Sequence, residues 1–559
     1  MDYKKYIAQR IKIEGVSEEE IYSSVALPPN SEMGDYALPC FKFAKILRKS
    51  PAIIAEDLKA SYATDEVISE VSAVNGYLNF KVNKATLTES VLNNVLSLRE
   101  KYGSSELGKG KTMCVEYSSV NVAKPFHIGH LSTTVLGGAL YKLYKFLGYN
   151  VVGINHLGDY GTQFGKLICA YKHWGNKQDV EKGGIHAIND LYVRFNNEAD
   201  DEMQNEARNY FRLIENGDKE ANEIFEWFKE LTLKYVQGVY DKLGVTFDSY
   251  AGERFYIDKM QPVIDELQAK NLLKESEGAQ IVDLEAYAMP PCLVLRSDGA
   301  SLYATRDLAA AVYRKNTYDF YKCLYVVAYQ QNLHFKQIFK VLELMGKEWA
   351  KDLVHVAYGM VSLEDGAMST RNGRVIWLED VINACIEKAY KIVEEKNPNL
   401  DNKSEIAEKI GVGAVIFGAL YNNKIKDIVF SYDKVLSFDG ETSVYVQYTC
   451  ARANSVLTKS KECGEVPKGY EPNSEEFEVV KELASFPSIL TEAAEKYEPS
   501  YIARYAVDLA QKFNKFYIEC KILTAEGDAK QFRLALTNAV LQTLKNALVI
   551  LGIGVPDKM

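Results

Sequence analysis

The sequence predicts a multidomain α/β protein. It has a central doubly wound parallel-sheet domain with a helical insertion, an N-terminal α+β domain and a C-terminal all-α bundle. Three observations point there. The chain has 559 residues, enough for three or four domains at roughly 100–200 residues each. Short apolar runs alternate with helical-period segments through its middle. From about residue 400 onward almost every segment reads as helix.

Residues 1–110 read as the α+β domain. Alternation in VSAVNGYLNFKV (71–82) predicts two strands around a turn at Asn75-Gly76. The segment TLTESVLNNVLSLREKYG predicts a helix ending on Gly103 as a C-cap. A Ser-, Gly- and Lys-rich linker follows at 104–111.

The central domain, 111–400, opens with the strand TMCVEYSS (112–119), and NVAKPFHIGHLSTTVLGGALYKLYKFLGY then switches to helical period. VVGINHLGDYG (151–161) supplies the next strand. This is half of a Rossmann-like domain. Residues 166–255 are charged and helix-rich, which predicts the insertion. AQIVDL, PCLVLRS, CLYVVAY and DLVHVAY are expected to complete the parallel sheet. Residues 401–559 form the helical bundle, and the chain shows neither internal repeats nor low-complexity tracts.

Composition narrows the class. Hydrophobic residues make up 47% and charged residues 25%, as in soluble globular proteins. No stretch approaches the ~18 uninterrupted apolar residues of a membrane helix, and MDYKKYIAQRIKIEG lacks the pattern of a secretory signal. The nine cysteines are scattered, with no C-x-x-C pair. No structural zinc, no metal ligand set and no disulfide scaffold are therefore expected, and the thiols suit a reducing cytoplasm. The net charge of −10 argues against tight nonspecific DNA binding but allows local contacts with one RNA.

One phosphate-loop lookalike is set aside. Gly103, Gly108 and Lys109 are spaced as such a loop requires, but Gly110 stands where a hydroxyl should follow, and the segment precedes its strand.

PFHIGH (125–130) carries the chemistry. His127 and His130 share a helical face. They stand where a strand hands over to a helix, whose start offers N–H groups and positive dipole to phosphates. Gly129 lets a base or ribose lie against the backbone, and Pro125 suits the helix entry. Two imidazoles there can stabilise charge that builds during attack on an α-phosphorus.

SSVNVAKPFHIGHLSTTVLG resembles the HIGH signature of class I aminoacyl-tRNA synthetases in its arginine-specific form. DGASLYATRDLAAAVYR (298–314), VVAYQQNLHFKQ (326–337), YGMVSLEDGAMSTRNGRVI (358–376) and YVQYTCARANSVL (445–457) follow in family order, so the resemblance spans essentially the whole chain.

The resemblance implies an arginine pocket of Glu116, Ser118, Asn121, His130, Tyr303, Asp307 and Gln331. The chemistry agrees. A planar cation with five donors wants carboxylates and amide oxygens. Glu116 and Asn121 bracket the C-terminal end of the first strand, the ligand edge of a parallel sheet. Tyr303 and Asp307 are spaced i, i+4. Taken singly, Glu116 also reads as a surface strand residue and Asp307 as a helix cap. The resemblance further implies ATP contacts at Phe126, His127, Gly129, His130, Met360 and Met368.

The chain departs from the family at its second signature. Where K-M-S-K-S is usual, it has Ala367-Met368-Ser369-Thr370-Arg371 between Gly366 and Gly373, with both lysines missing. A cation is still needed opposite the phosphates. Arg371 and Lys124 are the candidates. The resemblance favours Lys124, and Ser369 stays in the catalytic set.

For tRNA the resemblance implies D-loop contacts at Tyr77 and Asn79 and anticodon contacts at Tyr445, Tyr448 and Arg452. A core tyrosine, a turn asparagine and core aromatics are the ordinary alternatives. The expected activity is ATP-dependent formation of arginyl-adenylate, with Mg²⁺ accompanying ATP, then transfer to tRNA-Arg. The protein is expected to be a cytoplasmic monomer without membrane association. A class I synthetase for another amino acid, a non-charging RNA-binding paralogue and a nucleotidyltransferase of the same superfamily are the alternatives.

Overall fold

The structure, a computed structural model, describes residues 3–26, 28, 33–296, 303–363 and 376–559. They group into two compact units. One comprises residues 1–102, 452–485 and 511–543; the other comprises 103–451, 486–510 and 544–559.

The first unit holds an antiparallel sheet of β1 (Tyr36–Pro39), β2 (Ile68–Val74) and β3 (Tyr77–Val82), in the order β1-β3-β2. β2 and β3 meet at the expected turn, where Asn75 and Gly76 have φ of 50° and 83°. Both positive angles are what a two-residue type I′ hairpin requires. The helix Lys84–Leu98 starts on Asn83, whose side chain accepts from the Thr86 N–H at 3.0 Å. It ends five residues before Gly103. The buried stripe Leu87–Val91–Leu92–Val95 runs out there, so packing no longer supports another turn. In the helical part of this unit, Glu476 is fully buried and accepts from Arg533 Nε at 2.7 Å.

The second unit is built on β4 (Thr112–Glu116) and β5 (Asn150–Ile154), which are parallel in register. The next strands are β6 (Leu273–Ser276), β7 (Ala279–Val282) and β8 (Cys292–Leu295). After them come β9 (Lys322–Ala328), β10 (Leu353–Tyr358), β11 (Val361–Leu363) and β12 (Ile428–Phe430). The parallel sheet runs β10-β9-β4-β5. Residues 113–115 and 324–326 are buried throughout, as expected for strands covered on both faces. After β4 the chain goes to β5 on one side and later to β9 on the other. The crevice at the C-terminal ends of β4 and β9 is thus the topological switch point, where ligands bind such sheets.

Two expected strands lie elsewhere. AQIVDL and PCLVLRS supply β7 and β8, which join β6 in a separate antiparallel sheet. Glu277 and Gly278, at φ of 49° and 79°, make a tight hairpin between β6 and β7. A two-residue hairpin forces antiparallel pairing, so this segment cannot extend the parallel sheet.

Between β5 and β6 lie the helices Gln163–Trp174, Lys177–Glu198, Asp201–Glu215 and Lys219–Leu243. The last three begin on Asn176, Asp200 and Asp218, each accepting from the N–H three residues on. Such caps contribute ~1 kcal/mol apiece. The helix Gly527–Leu551 is long and apolar enough to cross a membrane, but 78% of its apolar stretch is buried in the protein, as in a core helix.

Candidate active site

The loop leaving β4 is strained. Ser118, Ser119 and Ala123 have φ of 67°, 47° and 59°. Non-glycine residues in this region cost of order 1–3 kcal/mol each and gather where function over-determines the backbone. Hydrogen bonds hold the loop in place. The Ser118 N–H donates to Thr133 Oγ1 at 3.0 Å, and the Ala123 N–H donates to Thr232 Oγ1 at 3.0 Å. The helix Leu131–Phe146 packs closely beneath, and a Cβ on its Gly137 would lie 2.1 Å from Tyr117 Cβ.

The histidine segment is a 3-10 turn, Ile128–His130, leading into that helix. The His127 and His130 rings lie 4.1 Å apart. His127 Nδ1 accepts the Gly129 N–H at 3.1 Å, which leaves its proton on Nε2. The His127 N–H points at His130 Nδ1 at 3.2 Å. The N–H groups of His127 and Gly129 therefore already have imidazole partners, unlike the open helix start expected from the sequence. Burial lowers His127 to about 4. Burial, with His127 adding to it, lowers His130 to about 3. Both rings are neutral near pH 7 and act as N–H donors rather than cations.

Phe126 is fully buried, its ring 5.1 Å from His130 and 5.7 Å from Tyr240. Its ring packs against His130 of the histidine turn. Segment 376–378 clamps the turn: the Ile128 N–H donates to the Ile376 carbonyl at 3.1 Å, and the Leu378 N–H donates to the Phe126 carbonyl at 3.0 Å. Met368, Ser369 and Arg371, with Gly366 and Gly373, lie outside the described residues. Met360 is half-buried, and its N–H donates to Asp427 Oδ1 at 2.7 Å. Lys124 is half-buried; burial lowers its pKa, while the Glu253 charge acts to raise it.

The residues expected for an arginine pocket divide. Glu116, at the end of β4, is buried and paired with Arg314, whose Nη1 lies 2.5 Å from Glu116 Oε2. Arg314 is wholly buried on the helix Tyr303–Tyr318, and its Nη2 lies 3.2 Å from His156 Nδ1. The Glu116 carboxylate therefore has a cation from the chain itself, which the sequence reading did not anticipate. Asp307 is held differently: its Oδ2 lies 2.6 Å from His334 Nε2, and its Oδ1 lies 4.0 Å from His156 Nε2. Burial alone would raise its pKa, but the His334 hydrogen bond and the neighbouring His156, His334 and Arg314 charges lower it, so Asp307 is a carboxylate.

Ser118 is buried. Its hydroxyl is spent on Thr134 Oγ1 at 2.9 Å and Tyr240 OH at 2.8 Å. Burial left that hydroxyl needing partners, and the helices Leu131–Phe146 and Lys219–Leu243 each supplied one. Asn121 is exposed, with its Oδ1 against Gly158, where a Cβ would lie 2.2 Å away. Tyr303 is 64% exposed beside Arg306, 4.7 Å from its ring. Gln331 is exposed at the end of the 3-10 turn Tyr329–Gln331.

Among the tRNA candidates, Tyr77 is half-buried, edge-on to Phe41 at 5.3 Å. Asn79 is 1% exposed, and neither amide atom has a hydrogen-bond partner among the described residues. Tyr445, Tyr448 and Arg452 all lie on the helix Ser443–Ser460. Tyr448 is exposed near Phe438, and Arg452 pairs with Asn514 and stacks 5.1 Å over Tyr517.

Sequence reasoning passed over Arg314, His156, His334, Glu253 and Arg306. Arg306, Arg314 and His334 stand inside segments already quoted, and an Arg at a heavily apolar helix position was the available signal. Burial raises Glu253 to about 7, against the opposing effect of Arg306, whose Nη2 lies 3.8 Å away. Elsewhere, Cys169, His173 and Glu206 bring three metal-type donor atoms within 4.8 Å of one another on the insertion. Burial and Glu206 push the Cys169 thiol up to about 12, so it is no ready thiolate ligand.

Comparison with known proteins accounts for this arrangement. Residues 91–432 match the family model for the catalytic domain of class I tRNA synthetases (R), residues 446–559 the DALR anticodon binding domain, and residues 1–82 the arginyl tRNA synthetase N terminal domain. The chain is 52% identical to an arginine–tRNA ligase of Clostridioides difficile and 50% identical to one of Alkaliphilus metalliredigens, each over all of both chains. Arginyl-tRNA synthetase from Thermus thermophilus superposes with a TM-score of 0.85 at 27% identity, covering 96% of each chain. A strained strand-to-helix loop, a neutral histidine pair and an ionised Asp307 near the switch point thus have a common explanation: the chain belongs to the arginyl-tRNA synthetases of class I.

Proposed function

We propose that this protein activates L-arginine with ATP and transfers it to the 3′-terminal adenosine of tRNA-Arg. One observation carries the reading: the neutral histidine turn and an ionised Asp307 stand at the same sheet edge, one suited to phosphate and the other to guanidinium. A carboxylate oxygen of arginine attacks the α-phosphorus, the bond to pyrophosphate breaks, and arginyl-adenylate forms. A ribose hydroxyl of tRNA then attacks the arginyl carbonyl, and AMP leaves.

In this reading His127 and His130 donate N–H groups to the reacting phosphate and Lys124 supplies the cation. Asp307 accepts the substrate guanidinium, with Glu116, Asn121, Tyr303 and Gln331 around it. A neutral amino acid would leave the Asp307 charge unpaired. The donors of the turn are nitrogens, which suit phosphate oxygens and not Mg²⁺. Mg²⁺ therefore enters only on the phosphates of ATP.

The proposed domains are 1–110 for the tRNA D-loop, 111–400 for catalysis and 401–559 for the anticodon. Tyr77 and Asn79 serve the first contact; Tyr445, Tyr448 and Arg452 serve the last. The protein works as a cytoplasmic monomer without membrane association, and its nine free thiols suit a reducing compartment. Charging of total tRNA with each labelled amino acid tests the reading. Arginine should be attached and others not; charging with a different amino acid would overturn it.

A further inference from the structure

Two acids face the arginine subsite, and the chain supplies a partner for each. Arg314, with no solvent exposure, takes Glu116. Its charge also acts on Asp307. His334 Nε2 holds Asp307 Oδ2 at 2.6 Å. Among the described residues, the Oδ1 atom has only His156 Nε2, at 4.0 Å, beyond hydrogen-bonding distance.

We propose that His334 is a positioning residue for arginine: it holds Asp307 by Oδ2 and so keeps Oδ1 available to the substrate guanidinium. The inference rests on the reading of Asp307 as the guanidinium acceptor. His334 is well placed to be rigid. It lies in the first turn of the helix Asn332–Leu344, directly after β9, with its ring edge-on to buried Phe335 at 5.4 Å and 79°. It touches Asp307 rather than any reacting atom, so its effect should appear in arginine binding and not in the phosphate chemistry.

The test is steady-state charging of tRNA by the full-length protein and three single variants. His334→Leu removes the donor and should raise KM for arginine about tenfold or more, with kcat and KM for ATP within about twofold of the parent. His334→Gln keeps an N–H donor in a side chain of similar reach and should recover most of the arginine affinity. Asp307→Asn tests the underlying reading separately: if it charges normally, Asp307 is not the acceptor, whatever His334 does. If Asp307→Asn is impaired while His334→Leu matches the parent, the positioning role is overturned. A loss shared equally between arginine and ATP, or a His334→Gln variant as poor as His334→Leu, would also overturn it, because both signal general damage to the fold. In the Asp307→Asn background, His334→Leu should add little; full additivity would count against action through Asp307.

Discussion

Arg314 and Glu116 form an ion pair inside the protein, with the guanidinium wholly enclosed and Nη1 2.5 Å from Glu116 Oε2. Neither charge has solvent to fall back on. Arg314→Met should therefore destabilise the protein by about 3–5 kcal/mol, because an uncompensated carboxylate stays buried. The double variant Arg314→Met with Glu116→Gln should recover part of that loss. Denaturant unfolding of the parent, Glu116→Gln, Arg314→Met and the double variant measures it, and strictly additive losses would show that the two residues do not act as a pair.

Lys124 is the half-buried cation nearest the histidine turn in sequence, where the family's loop lysines are missing. Lys124→Ala should slow arginine activation by about a hundredfold or more. The folded state should survive, as judged by its circular dichroism melt. Arginine-dependent ATP–pyrophosphate exchange in the presence of tRNA reads the effect; near-normal exchange would move the role elsewhere.

The histidine pair has a pH signature in stability. Both pKa values are lowered, to about 4 and about 3. Above the ordinary value of 6.5 both states are neutral and nothing is lost. As pH falls from there toward about 4, the unfolded chain takes up protons that the native state refuses, so stability falls. Replacing both residues with Asn should flatten that part of the stability–pH curve, and an unchanged slope would argue against neutral native rings.

Glu253 should act in the opposite sense. Its carboxyl is raised from 4.5 to about 7. As pH rises from 4.5 to about 7, the unfolded state ionises first, so stability declines across that window and levels off above it. Glu253→Gln should remove this decline. Urea midpoints measured at half-unit pH steps would reveal it.

Asn79 carries the proposed D-loop contact. Its amide is buried with no hydrogen-bond partner among the described residues, at a cost of about 1–3 kcal/mol. Asn79→Leu should leave the thermal midpoint unchanged or raise it, while raising KM for tRNA about tenfold. A fall in stability with unchanged KM would mark Asn79 as purely structural.

Much of this was legible in the residue order. Asn75-Gly76 predicted its hairpin because few dipeptides accept two positive φ angles. The strand-to-helix switch at Glu116–His130 located the chemical edge because period alone separates strand from helix. The Glu277-Gly278 hairpin was missed. Apolar runs at 279–284 and 291–297 look the same whether their sheet is parallel or antiparallel, and only the tight turn before them decides. The charge state of the histidines was also hidden, because desolvation depends on what covers a side chain.

Residue order alone decides which residues stand at the switch point. Glu116, His127, His130 and Asp307 are carried there by strand ends and helix starts, which local patterns encode. How those residues pair comes from contacts between segments far apart in the chain. Arg314 meets His156 from 158 positions away, and His334 meets Asp307 from 27. Which of the two acids meets Arg314 and which meets His334 depends on distances of a few ångströms between elements that share no local pattern. In a low-dielectric interior those distances set the charge.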